Sequence, residues 1–199
     1  KKLVLTLFSL LFLTFSTSIA NTYNSDPKLF ITELVNDAIN ALSDKTLSKE
    51  DKASFIEKIA IENIDINALG LYTLGEVRKS TNEDDLKKYQ ETFQKYFLKS
   101  LTSRLTDYSS NKLEVITSET KSSNYTIVKS KILESENQPE IKIDWRVYTK
   151  NPEKPLIRDL IVEGLSLART QKEEFSSILN SNDNNVRILI SKLEEFVKN

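Results

Sequence analysis

The sequence contains no histidine, no cysteine and no methionine. The chain therefore has no imidazole base, no thiolate nucleophile and none of the nitrogen or sulfur ligands that usually bind zinc. A chain without cysteine cannot form a disulfide, so its hydrophobic core must hold the fold together. There is also no Gly-x-Ser-x-Gly elbow and no glycine-rich phosphate loop. We therefore predict a protein that is not an enzyme and that uses no metal or cofactor.

The chain also lacks an excess of charge of either sign. It has 28 basic and 29 acidic residues, a formal net charge of −1, so it offers no general basic surface for nucleic-acid phosphates. The length of 199 residues and the hydrophobic content of 39% suit one domain with one ordinary core. We expect no nucleic-acid partner.

The first twenty residues have the features of a secretory signal peptide. Lys1-Lys2 is followed by an apolar run from Leu3 to Phe15, and Ser18 and Ala20 place small residues before a cleavage site. The alternative is a membrane anchor, but the run is shorter than the ~20 residues that a spanning helix needs. We expect a signal peptide at 1–20 and a single exported domain at 21–199.

The next part of the chain has helical periodicity. Asp26-Pro27 and Ser48-x-x-Asp51 are typical helix starts. The longest helix begins after the acidic segment 81–85, and its apolar positions fall on one side: Leu86, Tyr89, Phe93, Tyr96, Phe97, Leu101, Leu105 and Tyr108. Such a stripe is either ordinary core or one wall of an apolar cavity.

After residue 108 the periodicity changes to that of strands. Four β-branched and aromatic runs, at 113–120, 124–134, 140–149 and 156–163, are joined by short polar links. Alternation is clearest from Ile141 to Tyr148, and short links favour an antiparallel sheet. Gly164 then turns the last run into two more helical stretches. The pattern predicts an α+β fold with N-terminal helices, a long amphipathic helix, a curved four-stranded antiparallel sheet and C-terminal helices. It leaves open whether these elements enclose an apolar cavity or a filled core.

Polar residues in the strands leave an enzyme as a remote alternative. Asp144 and Asp159 lie within strands and would support acid–base chemistry only in a pocket beside a tyrosine. Ser166 has no neighbouring base. Arg146 and Arg169 would attract a phosphate if they lay at the mouth of a cavity, although a surface salt bridge is the simpler interpretation.

Two segments resemble the MlaC family, also described as toluene-tolerance or phospholipid-binding periplasmic proteins. The first runs from Leu74-Gly75 through Arg78 and Ser80-Thr81 to Phe97. The second, Asp159 to Leu167, fixes several residue types within nine positions. The chain departs from the family pattern in three places: Pro155, the pair Gln171-Lys172, and the segment Ser109 to Asn111. The substituted pair is expected near the rim of the cavity.

The resemblance implies a fold similar to nuclear-transport-factor-2-like domains. It also implies a periplasmic carrier whose cavity takes the acyl chains of a phospholipid. The implied partners are phospholipid, an inner-membrane ABC transporter with a lipid-binding ring protein, and an outer-membrane lipoprotein–porin complex. The implied role is the maintenance of outer-membrane lipid asymmetry.

No motif marks individual lipid-binding residues, so the candidates come from the apolar pattern. Each is either plain core or a lipid contact: Leu69, Leu74, Phe93, Phe97, Leu101, Leu105, Val128, Ile143, Trp145, Val147, Leu160 and Val162. The alternative function from a different class is a periplasmic adaptor or chaperone that binds polypeptide in an apolar groove.

Overall fold

The computed structural model describes residues 23–105, 112–134 and 139–199. The predicted signal peptide and the departure at 109–111 lie outside these ranges. Within them the chain forms the predicted α+β fold. Its helices are α1 (Pro27–Ser43), α2 (Lys49–Asn63), α3 (Ile66–Leu74), α4 (Glu83–Leu105), α5 (Leu167–Asn180) and α6 (Val186–Lys198), with a 3₁₀ turn at Gly75–Lys79.

The helix starts follow from local side-chain chemistry. The Asp26 carboxylate accepts from the backbone N–H groups of Lys28 and Leu29 at the start of α1. Ser48 Oγ accepts from the N–H of Asp51 at the start of α2, as the sequence predicted. These side chains satisfy backbone donors that a helix leaves unpaired in its first turn.

The strands form one antiparallel sheet in sequence order. They are β1 (Leu113–Ser122), β2 (Tyr125–Ile132), β3 (Ile141–Tyr148), β4 (Leu156–Val162) and β5 (Leu165–Ser166). The first four were predicted, and the two-residue fifth strand was not. Glu163 and Gly164 both have positive φ, 49° and 83°, which makes a two-residue hairpin turn. The chain therefore doubles back for one pair of residues before α5 begins, rather than passing directly from strand to helix.

The apolar residues pack in two clusters. The sheet cluster joins α1 and Ile59 of α2 to one face of the sheet: Phe30, Ile31, Leu34, Val35, Ile59, Val128, Val147 and Ile157. The helical cluster joins α2, α3, α4, α5 and α6: Ala60, Ile66, Leu74, Tyr89, Phe93, Leu98, Phe175, Leu179, Val186, Leu189, Ile190 and Leu193. Ile64 packs against both.

The helical cluster depends on a close approach of α3 to α4. A Cβ atom on Gly70 would lie 2.9 Å from Cδ1 of Phe93, so only glycine fits there. The buried Tyr89 hydroxyl is 3.0 Å from Thr73 Oγ1 and donates to the Gly70 carbonyl at 3.2 Å. Burial raises the pKa of the Tyr89 phenol, so this hydroxyl remains a neutral donor. Within the described part of the chain, no helix combines the length and hydrophobicity needed to cross a membrane.

Asp159 fastens the start of α5 to the sheet. Its carboxylate accepts from Ser166 Oγ at 2.6 Å and from the Ala168 N–H at 3.0 Å, and its side chain is only 2% exposed. The conspicuous Asp159–Leu167 segment is thus a structural joint, in which the aspartate satisfies one donor in the first turn of the helix.

We expect the Asp159→Ala variant to lose about 2–4 kcal/mol of unfolding free energy, because it leaves these donors unpaired. Urea denaturation followed by Trp145 fluorescence measures the loss. Asp144→Ala is the matched control. It removes the same charge from the neighbouring strand and should cost less than about 0.5 kcal/mol. Equal effects of the two substitutions would contradict the assigned role.

Candidate functional site

The candidate site lies on the face of the sheet that α1 covers, which we call the inner face. The pairing of the strands determines which residues lie side by side in rows across this face. Val128 lies opposite Trp145, and Trp145 lies opposite Leu160. In the next row Ile143 lies between Ser130 and Val162. Because alternate residues of a strand share a face, these rows form one continuous surface.

The inner face is covered unevenly. Val128 and Val147 are 0% exposed and belong to the sheet cluster. Ile143, Leu160 and Val162 are only half-buried, and within the described residues they belong to neither cluster. These three lie toward the start of β3 and the end of β4. One end of the inner face is therefore an apolar surface that the described core does not fill.

Trp145 lies at the boundary between the covered and the uncovered part. Its side chain is half-buried and packs against the sheet cluster. The indole Nε1 donates to Ser130 Oγ at 2.9 Å, and Ser130 Oγ donates to the Ile143 carbonyl at 2.9 Å. The indole therefore contributes apolar area to the inner face without leaving its N–H unpaired.

The second group of predicted residues lies in the helical layer. The elements that pack closely on α4 are α6, α3 and α2. Phe93 is 2% exposed at the centre of the helical cluster, whereas Phe97, Leu101 and Leu105 are half-buried. In the second half of α4 these three residues of the apolar stripe are therefore less buried than Phe93.

The twelve predicted residues therefore fall into two classes. Leu74, Phe93, Val128 and Val147 are at most 2% exposed, so a ligand would reach them only by displacing protein side chains. The other eight are half-buried: Leu69, Phe97, Leu101, Leu105, Ile143, Trp145, Leu160 and Val162. The structure places them in two layers, and their meeting around one lipid remains a prediction.

The polar candidates lie elsewhere. Asp144 and Arg146 alternate with the inner-face residues of β3 and so point to the outer face. Arg146 Nη1 is 3.8 Å from the Asp159 carboxylate, an ion pair between a largely exposed guanidinium and a buried carboxylate. Within the described ranges there is no group of three residues that could hold a metal ion.

Two clefts lie between α3 and α5. One, of 440 Å³, is lined by Leu74, Gly75 and Ser80 among others. The other, of 740 Å³, includes Tyr72 and Arg169. Neither is lined by a residue of the sheet. The first has a mixed polar and apolar lining, whereas the second is lined almost entirely by polar residues. Arg169 therefore lines a helical cleft rather than an apolar surface of the sheet.

Gln171 and Lys172 also lie in the helical layer. Gln171 accepts a hydrogen bond from the Tyr96 hydroxyl at 2.9 Å, and Lys172 lies 5.1 Å from the ring of Tyr72. Burial raises the pKa of the Tyr96 phenol, with a further contribution from the Glu174 carboxylate. These contacts tie α5 to α3 and α4.

Among the inner-face residues missing from the predicted set, two lie beside the uncovered end. Ile141 is half-buried and follows the same alternation as Ile143 and Trp145, so the pattern itself was sufficient to include it. Ser130 is 2% exposed on the same face. A lone serine in a strand gives no sequence signal of this kind, because its importance depends on the indole placed beside it.

A family model for the MlaC protein matches residues 32–195. The chain belongs to the MlaC family. A solved structure with a similar fold is a phospholipid-binding protein from Ralstonia solanacearum in complex with a phospholipid. It is 16% identical, with a TM-score of 0.70, and the match covers 90% of this chain and 98% of that one. No curated protein matches this MlaC family member.

The division into core and half-buried residues is testable with two identical substitutions. Leu74→Ala should lower the unfolding free energy by about 3 kcal/mol, because it leaves a cavity in a closed cluster. Leu101→Ala should cost about 1 kcal/mol, since part of this side chain already faces solvent or an unfilled space. Chemical denaturation gives both values. A cost at Leu101 as large as that at Leu74 would identify Leu101 as closed core.

Proposed function

We propose that this MlaC family member is a periplasmic phospholipid carrier. It holds acyl chains against the uncovered end of the inner face and shuttles lipid between the outer and inner membranes, which maintains outer-membrane lipid asymmetry. Its partners are an inner-membrane ABC transporter with a lipid-binding ring protein and an outer-membrane lipoprotein–porin complex. The observation that carries the proposal is the group Ile143, Leu160 and Val162, which are apolar, half-buried and outside both described clusters.

Family membership and the Ralstonia solanacearum relative support this choice of ligand, since that relative has the same fold and is in complex with a phospholipid. The energetics agree. An acyl chain gains about 0.8 kcal/mol for each methylene removed from water. A side chain that projects into an unfilled apolar space gains when that space is filled. The same contact thus stabilises both the lipid and the half-buried residues.

Such a carrier needs an apolar wall without charged groups. On β3 the charged residues Asp144 and Arg146 point to the outer face, and Trp145 has its N–H paired with Ser130. An acyl chain on the inner face would therefore meet no unpaired donor from these residues, which would otherwise lose hydration at a cost.

The direct test is chemical. We expect the protein purified under native conditions to carry phospholipid, detected by mass spectrometry after solvent extraction. Lipid-free protein, prepared by delipidation and refolding, should take up lipid from vesicles of phosphatidylethanolamine and phosphatidylglycerol. Folded protein that contains no lipid and takes none up would refute the proposal.

A charge on the uncovered end should abolish loading. We expect Ile143→Lys to reduce the bound phospholipid at least tenfold, because an ammonium group cannot be desolvated against acyl chains. Ile61→Lys is the matched control, since Ile61 is 51% exposed on α2 and belongs to neither apolar cluster. Circular dichroism verifies that both variants fold. If a folded Ile143→Lys protein bound a normal amount of phospholipid, the lipid site would have to lie elsewhere.

The competing candidate is a polypeptide-binding adaptor or chaperone. It is favoured by Leu165, which pairs with Val162 at the edge of the sheet and is 68% exposed. An apolar edge of this kind also suits an extended peptide. Two results together would favour this candidate over lipid carriage. The purified protein would carry no phospholipid, and an unfolded polypeptide would displace a bound lipid-sized probe.

A further inference from the structure

One buried serine accepts a hydrogen bond from the only tryptophan of the chain. Ser130 is 2% exposed on β2. Its hydroxyl proton goes to the Ile143 carbonyl at 2.9 Å, so the oxygen faces Trp145 as an acceptor, and the indole Nε1 donates to it at 2.9 Å. An indole is a donor only. Both hydrogen bonds can therefore form at the same time, with the serine donating to the carbonyl and accepting from the indole. Neither the hydroxyl nor the indole N–H is left unpaired.

The strand register shows where this bond holds the ring. Trp145 lies opposite Val128, whereas Ser130 lies opposite Ile143, one row further along the inner face. The indole therefore reaches diagonally across β2 and β3, a distance that large side chains span. Its polar edge is turned toward the row of Ser130, Ile143 and Val162, where the uncovered end of the inner face begins.

We propose that Ser130 is a positioning residue, which holds the Trp145 indole as a fixed wall of the lipid site. This inference rests on the proposed lipid-carrying function and adds a specific residue to it. Without the serine oxygen, the indole N–H would be unpaired against an apolar surface, which is unfavourable. The half-buried ring would then turn to reach water and would occupy space that the acyl chains use.

A double-mutant cycle separates this role from ordinary packing. The probe is a pyrene-labelled phosphatidylglycerol added to the lipid-free wild type, Ser130→Ala, Trp145→Phe and the double variant. We expect Ser130→Ala alone to weaken binding at least fivefold. In the Trp145→Phe background, which has no N–H to orient, the same substitution should change affinity less than twofold.

Tryptophan emission gives a second readout that does not depend on lipid. Trp145 is the only tryptophan, so the signal needs no deconvolution. In the lipid-free protein, Ser130→Ala should shift the emission to longer wavelength and lower its anisotropy. Ser130→Thr retains a hydroxyl at the same position and should restore both emission and affinity, while circular dichroism verifies that every variant folds.

The outcomes are distinct. Equal weakening by Ser130→Ala in the two backgrounds, or unchanged emission in that variant, would overturn the inference and leave lipid carriage standing. If the wild type binds no pyrene-labelled lipid, the proposed function fails and the lipid-wall role of Ser130 fails with it. An emission shift in that case would show only that Ser130 orients the indole.

Discussion

Two adjacent residues of β4 hold the helical layer to the sheet. Arg158 donates through Nε and Nη2 to the Asp65 carboxylate, at 2.9 and 2.7 Å, and Asp65 also accepts from the Ala68 N–H in the first turn of α3. Asp159 likewise accepts hydrogen bonds from Ser166 and from the Ala168 N–H at the start of α5. Consecutive side chains of one strand thus fix the first turns of two helices.

The strand can do this because of an irregularity in its pairing. The register shifts between Arg146 and Val147, so that two residues of β4 lie where one would be expected. A bulge of this kind redirects side chains. Arg158 also stacks on the Tyr148 ring, 3.4 Å from its centroid, and donates to the Tyr125 hydroxyl. A guanidinium with several partners of fixed geometry holds position better than a simple surface ion pair.

This arrangement separates support from the candidate site. The helical layer is fastened through Arg158 and Asp159, while α1 covers only part of the inner face. Since the joint does not depend on packing at Ile143, Leu160 and Val162, that end can remain uncovered without loosening α3 or α5. An apolar surface left open in a folded protein is unfavourable unless something occupies it. The contacts of Arg158 and Asp159 hold the fold together while such a surface stays open.

The sequence was sufficient for much of the architecture, since helix starts and strand alternation are local properties. The alternation from Ile141 to Val147 correctly predicted which residues share a face. The sequence predicted a turn at Gly164 but not the positive φ of Glu163 or the short strand that follows, because a glutamate at positive φ has no reliable local signal and is stabilised by tertiary contacts. Its carboxylate accepts from the Lys142 N–H on the neighbouring strand.

The candidate site was harder to predict for a physical reason. Val147 and Ile143 are both β-branched aliphatic residues on the same face of the same strand, yet one is 0% exposed and the other is half-buried. Val147 packs in a cluster with α1 and with Ile59 of α2, whereas Ile143 belongs to neither described cluster. Periodicity within β3 carries no information about that difference. The face on which a strand residue lies follows from the local alternation. Whether that face is covered depends on the tertiary packing of other elements. For the same reason the sequence could not distinguish Leu74 from Leu101, and it gave no reason to select Ser130.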